Sequence, residues 1–238
     1  VVAISAKAVD LIEPALGEPT AEAAGRVFFD AVQDLGVRAL NARGQYPSAP
    51  TFALKEQIYA RLAPPGWEVL YSEKWYQDSN FLPRALRQRA SPFKWSDAGP
   101  FNAKEQAVWR ALADNGFSDG LAAPCHGPDG YMGVVSIGFE RLDQVSPADQ
   151  AAVQFAALVL HDRMRMLSTP PETERPKLTP RERDCMGFIA QGKSDWDISV
   201  ILGVSHTTII SHVQNAKRKL GATTRAQAVA HCFLLGIL

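Results

Sequence analysis

Four helix starts can be read from their caps in the last sixty or so residues of the chain. Thr179 stands three residues before Glu182, with Pro180 between them. In that arrangement each side chain satisfies the other residue's backbone N–H, and proline fits the first helical position. Gly192 stops this helix. Ser194 caps a second, which runs to about Leu202 and ends at Gly203. Ser205 caps a third, to about Leu220, ended by Gly221. Thr223 or Thr224 caps a fourth, to about Leu235. Only Gly203-Val204-Ser205 joins the second helix to the third. So short a connection constrains this segment to a helix-turn-helix inside a four-helix module.

The third helix carries two stripes. Ile209, His212 or Val213, Ala216 and Leu220 share one face and are expected to pack inward. Thr207, Ile210, Ser211, Gln214 and Arg218 fall opposite. Those side chains suit base edges: Gln pairs with adenine, Arg with guanine, and an Ile or Thr methyl meets the thymine methyl. Lys193, Thr208, Lys217 and Lys219 are placed for phosphates, which position a protein without reading sequence. From Leu178 onward there are seven basic residues against four acidic ones, although the whole chain has a formal net charge of zero. That asymmetry fits a basic DNA-reading module joined to a mildly acidic domain.

Composition excludes several classes. With 46% hydrophobic and 21% charged residues, the 238-residue chain has room for two soluble domains. Cys125, Cys185 and Cys232 are far apart and odd in number, so neither a disulfide framework nor a zinc site is expected. Reduced thiols and the lack of a signal peptide or spanning segment lead to an expected cytoplasmic, nucleoid-associated location with no membrane partner. The absent initiator Met suggests numbering that begins inside a longer chain. Residues 168–177 hold three prolines and no apolar anchor, and are expected to be a stiff exposed linker between domains 1–167 and 178–238.

The first domain has mixed periodicity. Helices are expected near Ser5–Leu16 and Thr20–Leu35, with Thr20 as N-cap of the second. Short strands are expected at Val37–Asn41, Trp67–Tyr71 and Phe93–Trp95, and helical turns over Ser72–Arg89 and Asn102–Asn115. Two further strands, Gly120–Cys125 and Met132–Phe139, flank a Pro128-Asp129-Gly130 turn. Ser146 and Pro147 open a long helix to about Leu167. The fold class is therefore α+β: an N-terminal α/β/α sandwich able to enclose a small molecule, and a C-terminal four-helix domain. A phosphoryl-accepting receiver needs an acidic pair after its first strand, and Ala42-Arg43-Gly44 supplies none. Cys125 and His126 would point to opposite faces of a strand, so they do not form a nucleophile–base pair. Nothing else suggests an enzyme, a metal or a cofactor. His161 is expected at a surface or interface.

The C-terminal module resembles the DNA-binding domain of the LuxR family of bacterial transcription regulators. Leu178, Thr179, Arg181, Glu182, Gly192, Lys193, Ile198, Leu202, Ser205, Thr208, His212, Asn215, Ala216, Lys219, Leu220, Arg225, Ala228 and Val229 carry the likeness. It implies a homodimer on double-stranded promoter DNA, with the fourth helix aiding self-association and RNA polymerase as a further partner. The first domain resembles the autoinducer-binding domain of the quorum-sensing branch. Tyr71 and Trp75 match its Tyr-x-x-x-Trp motif, Trp95 a pocket Trp, Gly120 a motif Gly, and Ser136 a Thr/Ser beside the ligand. The resemblance implies an acyl-homoserine lactone or related signal. Trp75 would donate to the lactone carbonyl, Tyr71 and Ser136 would bond the amide carbonyl, and Trp95 would cover the lactone ring.

One departure bears on the signal. The family places an Asp-Pro pair between the two tryptophans, and its Asp accepts the ligand amide N–H. Between Trp75 and Trp95 the interval is about two helical turns shorter and has no Asp-Pro. Asp78 is the carboxylate expected to serve from a shifted position. Without one, an unpaired amide would cost roughly 1–3 kcal/mol. Two readings stand: a regulator answering an acyl-homoserine-lactone-like signal, and one of the same build that needs no such lactone or answers a different small molecule.

Overall fold

A computed structural model describes residues 2–48, 53–127, 130–168 and 176–238. Contacts divide the chain into two compact units. One holds Val1–Gly44, Gln57–His126 and Met132–Thr169, and the other Gln45–Glu56, Gly127–Tyr131 and Pro170–Leu238. Most of the expected linker, 169–175, and the Pro128-Asp129 pair lie outside the described residues.

The first unit is built on a five-stranded sheet with helices on both faces. Its strands are β1 (Val37–Ser48) as far as Gly44, β2 (Ala53–Leu62) from Gln57, β3 (Phe93–Lys94), β4 (Asp119–His126) and β5 (Met132–Phe139). They lie in the order β2-β1-β5-β4-β3, and β4 pairs antiparallel with both β3 and β5. Strand side chains alternate between faces. Leu121 and Ala123 of β4 and Val135, Ile137 and Phe139 of β5 turn toward α1 (Val2–Leu16), α2 (Ala21–Val32) and the long α7 (Pro147–Leu167). Ala122 and Val134 turn to the other face. There sit three short helices, α3 (Trp67–Ser72), α4 (Lys74–Ser79) and α5 (Leu82–Gln88), with α6 (Ala103–Asp114) beside them.

The caps read from the sequence are present. Thr20 accepts from Ala23 N–H and Ser146 from Asp149 N–H, with Pro147 at the first position of α7. Three expectations change. Trp67–Tyr71 is helical, because Gly66 adopts φ 87° and turns the chain into a helical turn that β-prone side chains alone do not announce. β1 runs on past Asn41, and β2 pairs beside it although Lys55, Glu56 and Gln57 disguise it as a polar loop. His161 is buried at 2% exposure, edge-on to the Tyr59 ring at 5.5 Å, with Nε2 3.4 Å from the Arg43 carbonyl.

The second unit contains α8 (Pro180–Ala190), α9 (Asp195–Leu202), α10 (His206–Lys219) and α11 (Arg225–Leu234). Thr179, Ser194, Ser205 and Thr224 each accept a backbone N–H from the third residue of their helix, as the caps require. Gly203 takes φ 63° and closes α9 with its N–H on the Ser199 carbonyl. A side chain there would be strained, so the tight turn requires glycine. Cys185, Met186, Ile198, Ile209, Val213 and Leu220 form the core.

Burial pushes the His161 imidazole down to about 4. In the unfolded chain it titrates near 6.5, so the unfolded state binds more protons between these values. Stability fully present above pH 6.5 therefore falls as pH drops toward 4, by roughly 3 kcal/mol from this group. Urea midpoints of wild type and His161→Gln should diverge in slope between pH 6.5 and 4.5, the variant being flatter. Equal slopes would refute this.

Candidate functional site

Between the sheet and α3–α5 lies a cavity of about 630 Å³, part of it open to solvent. It belongs entirely to the first unit. Its walls are mainly aromatic and aliphatic, from Trp67, Tyr71, Tyr76, Phe81, Trp95 and Phe117 to Leu112 and Val134. Asn41, Asn80 and Ser136 add neutral polar atoms, and Arg43 and Arg61 add positive charge. Among the described residues that line it there is no Asp or Glu.

Tyr71, Trp95 and Ser136 all meet at this cavity. Trp95 Nε1 donates to Ser136 Oγ at 3.2 Å, in a buried bond that fixes the indole against β5. Because that oxygen accepts from Trp95, the Ser136 hydroxyl keeps its own hydrogen to donate. Tyr71 OH accepts from Asn41 Nδ2 at 3.0 Å, and the Arg61 guanidinium lies 4.5 Å from the Tyr71 ring centre. Gly120 is not a cavity residue but the shelf beneath one. A Cβ added there would come within 2.3 Å of the Trp95 ring and 2.6 Å of the Ile137 carbonyl oxygen.

Trp75 and Asp78 lie elsewhere. Trp75 is 42% exposed on α4, and its ring abuts Tyr76 from outside the cavity. Asp78 pairs with Lys74 Nζ at 3.1 Å one turn away on an exposed helix face. The physical reason is the break at Glu73, whose extended backbone (φ −62°, ψ 127°) ends α3 and starts α4 in a new direction. Tyr71 and Trp75 therefore do not share a helix. Trp67 and Tyr71 do, four residues apart on one face of α3. Trp67 is buried against Phe117, with ring centres 4.9 Å apart, and against Tyr76 at 6.0 Å.

Trp67 lies eight residues, about two helical turns, before Trp75. That is the amount by which the stretch before Trp95 looks short when counted from Trp75. Counted from Trp67, no shortening remains. The amide side chain that then lines the cavity from between the tryptophans is Asn80, beside Tyr71, Tyr76, Phe81 and Leu82, and Asp78 is not among them. Its Oδ1 accepts from Leu82 N–H at 2.9 Å. Trp67, Tyr76, Asn41 and Asn80 were absent from the sequence-based set. Helical spacing of Trp67 and Tyr71 was the available signal, hidden by reading that segment as a strand.

In the second unit, α10 presents Thr207, Ser211, Gln214 and Arg218 as exposed side chains, with Ile210, Thr208 and Lys217 half-buried. Lys193 is exposed after α8. Ser205 Oγ lies 2.8 Å from both Thr207 Oγ1 and Thr208 Oγ1, so the N-terminus of α10 is tied by hydroxyls. A helix start of this kind favours anions. Arg218 is steadied by Asn215 Oδ1 at 3.1 Å. Lys219, expected at a phosphate, has its Nζ 2.7 Å from Oε2 of the buried Glu182. Burial pushes the Glu182 carboxyl up, but Lys219 and the Thr179 N–H and hydroxyl outweigh it and hold it below the usual range. Asp195 and Arg225 form a second ion pair. Among the described residues no cluster of side chains suits a metal ion, and no helix is long and apolar enough to cross a membrane.

Residues 20–164 match the family described as autoinducer binding domain, and residues 176–232 match bacterial regulatory proteins of the luxR family. The chain is 35% identical over 185 residues to the transcriptional activator protein BjaR1 of Bradyrhizobium diazoefficiens, covering 76% of each. It is also 35% identical over 188 residues to RpaR of Rhodopseudomonas palustris, a quorum sensing-dependent transcriptional regulator, covering 78% of this chain and 76% of that one. The fold is that of Escherichia coli SdiA, with a TM-score of 0.64 over 97% of both chains at 20% identity. This chain belongs to the LuxR family of quorum-sensing transcription regulators, with an autoinducer-binding domain and a DNA-binding helix-turn-helix. These relatives regulate transcription and are not enzymes.

Two substitutions probe this geometry. Gly120→Ala should displace Trp95 and cost about 1–3 kcal/mol in urea unfolding, with altered tryptophan emission. Unchanged stability and emission would refute the shelf. Glu182→Gln should cost about 1–3 kcal/mol at pH 7, since Lys219 loses its partner and the α8 cap is weakened. No loss would make that pair ornamental.

Proposed function

We propose that this regulator binds an acyl-homoserine-lactone-like signal in the first unit and specific promoter DNA, as a dimer, through α10. The observation that carries the signal reading is the aromatic cavity itself. An apolar wall broken by a few directed donors suits a small amphiphile. In this reading Tyr71 and Ser136 each offer a hydroxyl hydrogen to the signal's carbonyls, and Trp95 forms a flat wall. Trp67 takes the indole-donor role that the family resemblance would give Trp75. A protein of this division, with a ligand domain to about 167, a linker and a DNA domain from 178, would work in the cytoplasm on the nucleoid, and would engage RNA polymerase at promoters.

Dimerisation fits the half-exposed apolar residues Phe233 and Leu234 at the end of α11. Two copies of α10 set about one DNA turn apart would read a pseudo-palindrome. Thr207, Ile210, Ser211, Gln214 and Arg218 would meet base edges. Lys193, Thr208 and Lys217 would meet phosphates.

A second reading is favoured by the absence of a carboxylate among the described lining residues. The signal would then lack an amide N–H. SdiA, which shares the fold, has been crystallised with octanoyl-rac-glycerol, an ester.

Thermal shift with a panel of acyl-homoserine lactones and acylglycerols separates these. A bound signal at a hundred times its Kd should stabilise the protein by about 2.7 kcal/mol. Stabilisation by acylglycerols alone would favour the second reading, and no shift from any lactone would end the first. For DNA, Arg218→Ala and Gln214→Ala should each cost roughly 1–3 kcal/mol on a site selected from random sequence, with the fold intact. Lys193→Ala should lower the salt slope by about one. Unchanged binding by the Gln214/Arg218 double variant would refute the base-reading assignment.

A further inference from the structure

The hydrogen-bond accounts of the cavity are unbalanced. Its polar lining consists mostly of groups that give hydrogens. Arg43, Arg61 and the Trp67 indole can only donate. Asn80 has committed its carbonyl oxygen to Leu82 N–H, which leaves its NH₂ group. Ser136 Oγ and Tyr71 OH already accept, from Trp95 and Asn41, and so are set to donate. Against these stands Asn41 Oδ1. It is buried and has no partner, while the Nδ2 of the same amide is held by Tyr71 OH at 3.0 Å. Buried carbonyl oxygens are seldom left without a donor.

Position explains how it gets there. Asn41 lies on β1, where Leu40 and Ala42 turn into the core against α1, α2 and α7. Alternation sends Asn41 to the opposite face, beside Ala39 and Arg43 on the cavity wall. Its bond to Tyr71 links that strand to α3 and holds the amide plane.

We propose that Asn41 is the specificity residue for the signal's N–H, its neutral side-chain carbonyl doing the work of the carboxylate missing from the described lining residues. The assignment rests on the signal being an N-acylated lactone. It gives the donors and Asn41 Oδ1 complementary tasks. Tyr71 and Ser136 serve the ligand's carbonyl oxygens, and Asn41 serves its one hydrogen. Asn80, with its oxygen committed, adds a further donor. Asp78 has no part in this.

The test pairs two ligands with three proteins. One ligand is the butanoyl, octanoyl or dodecanoyl homoserine lactone that stabilises the full chain most. The other is its ester analogue, with oxygen in place of N–H. Kd is measured for both by thermal shift and calorimetry on wild type, Asn41→Ala and Asn41→Asp, with circular dichroism to confirm folding. Wild type should prefer the amide by about tenfold or more. Asn41→Ala should bind the two within about threefold of each other. Asn41→Asp keeps an acceptor and should keep the preference, so it serves if the alanine variant fails to fold. A full amide preference in folded Asn41→Ala, or its loss in Asn41→Asp, would overturn the assignment and leave the lactone reading standing. No binding of any lactone by wild type would overturn both.

Discussion

The flat packing of Trp95 on the middle of the sheet is the constraint from which the cavity follows. Gly120 and Gly138 face each other across β4 and β5, and side chains at either would collide with Trp95 or Phe117. Their absence lets two aromatic rings lie close to the backbone. Ser136, one pleat along, then fixes the indole by a hydrogen bond rather than by bulk. A strand filled with larger residues on this face would close the space that α3 to α5 now roof over. The other face of the same strands is filled by Val135, Ile137 and Phe139, which pack into the core against α1, α2 and α7. One strand thus supplies a solid core and a ligand wall, by the period-two alternation of its side chains.

The helix-turn-helix unit relies on a different device. Each helix is closed by local chemistry, a hydroxyl at the start and often glycine at the end, so most of its polar backbone is settled before tertiary packing begins. What must come from afar is the register of α10 against α8. The buried Glu182 does both jobs, since it caps α8 at Thr179 and holds Lys219 at the far end of α10. With one end pinned and Ile209, Val213 and Ala216 buried, the Gln214 face is free to be polar.

The parts legible in the sequence were those fixed by neighbours in the chain. Thr20, Ser146, Thr179, Ser194 and Ser205 announce helix starts because their hydrogen bonds reach only a few residues. The strands β4 and β5 announce themselves by continuous apolar runs. Trp67–Tyr71 misled because Trp, Val and Tyr favour strands, whereas the helical turn is dictated by Gly66 and by burial of Trp67 against Phe117 and Tyr76. Local propensity lost to tertiary packing, and with it Trp67 as a cavity residue. Asn41 was invisible for a further reason. A polar residue at a strand position has no signature until the strand's two faces are known. His161 went the same way, a polar side chain on a long helix that only packing reveals as buried.

Signal and DNA binding must be linked if this is a ligand-responsive regulator, and the linkage is reciprocal. The direct measurement is the Kd of the best acyl-homoserine lactone for the full chain, free and saturated with its selected operator, alongside the operator Kd with and without lactone. Both affinities should improve by the same factor, roughly 5- to 150-fold for a coupling of ordinary size. Equal affinities in all four arms would show a DNA binder indifferent to the lactone, and would contradict the regulatory role assigned to the cavity.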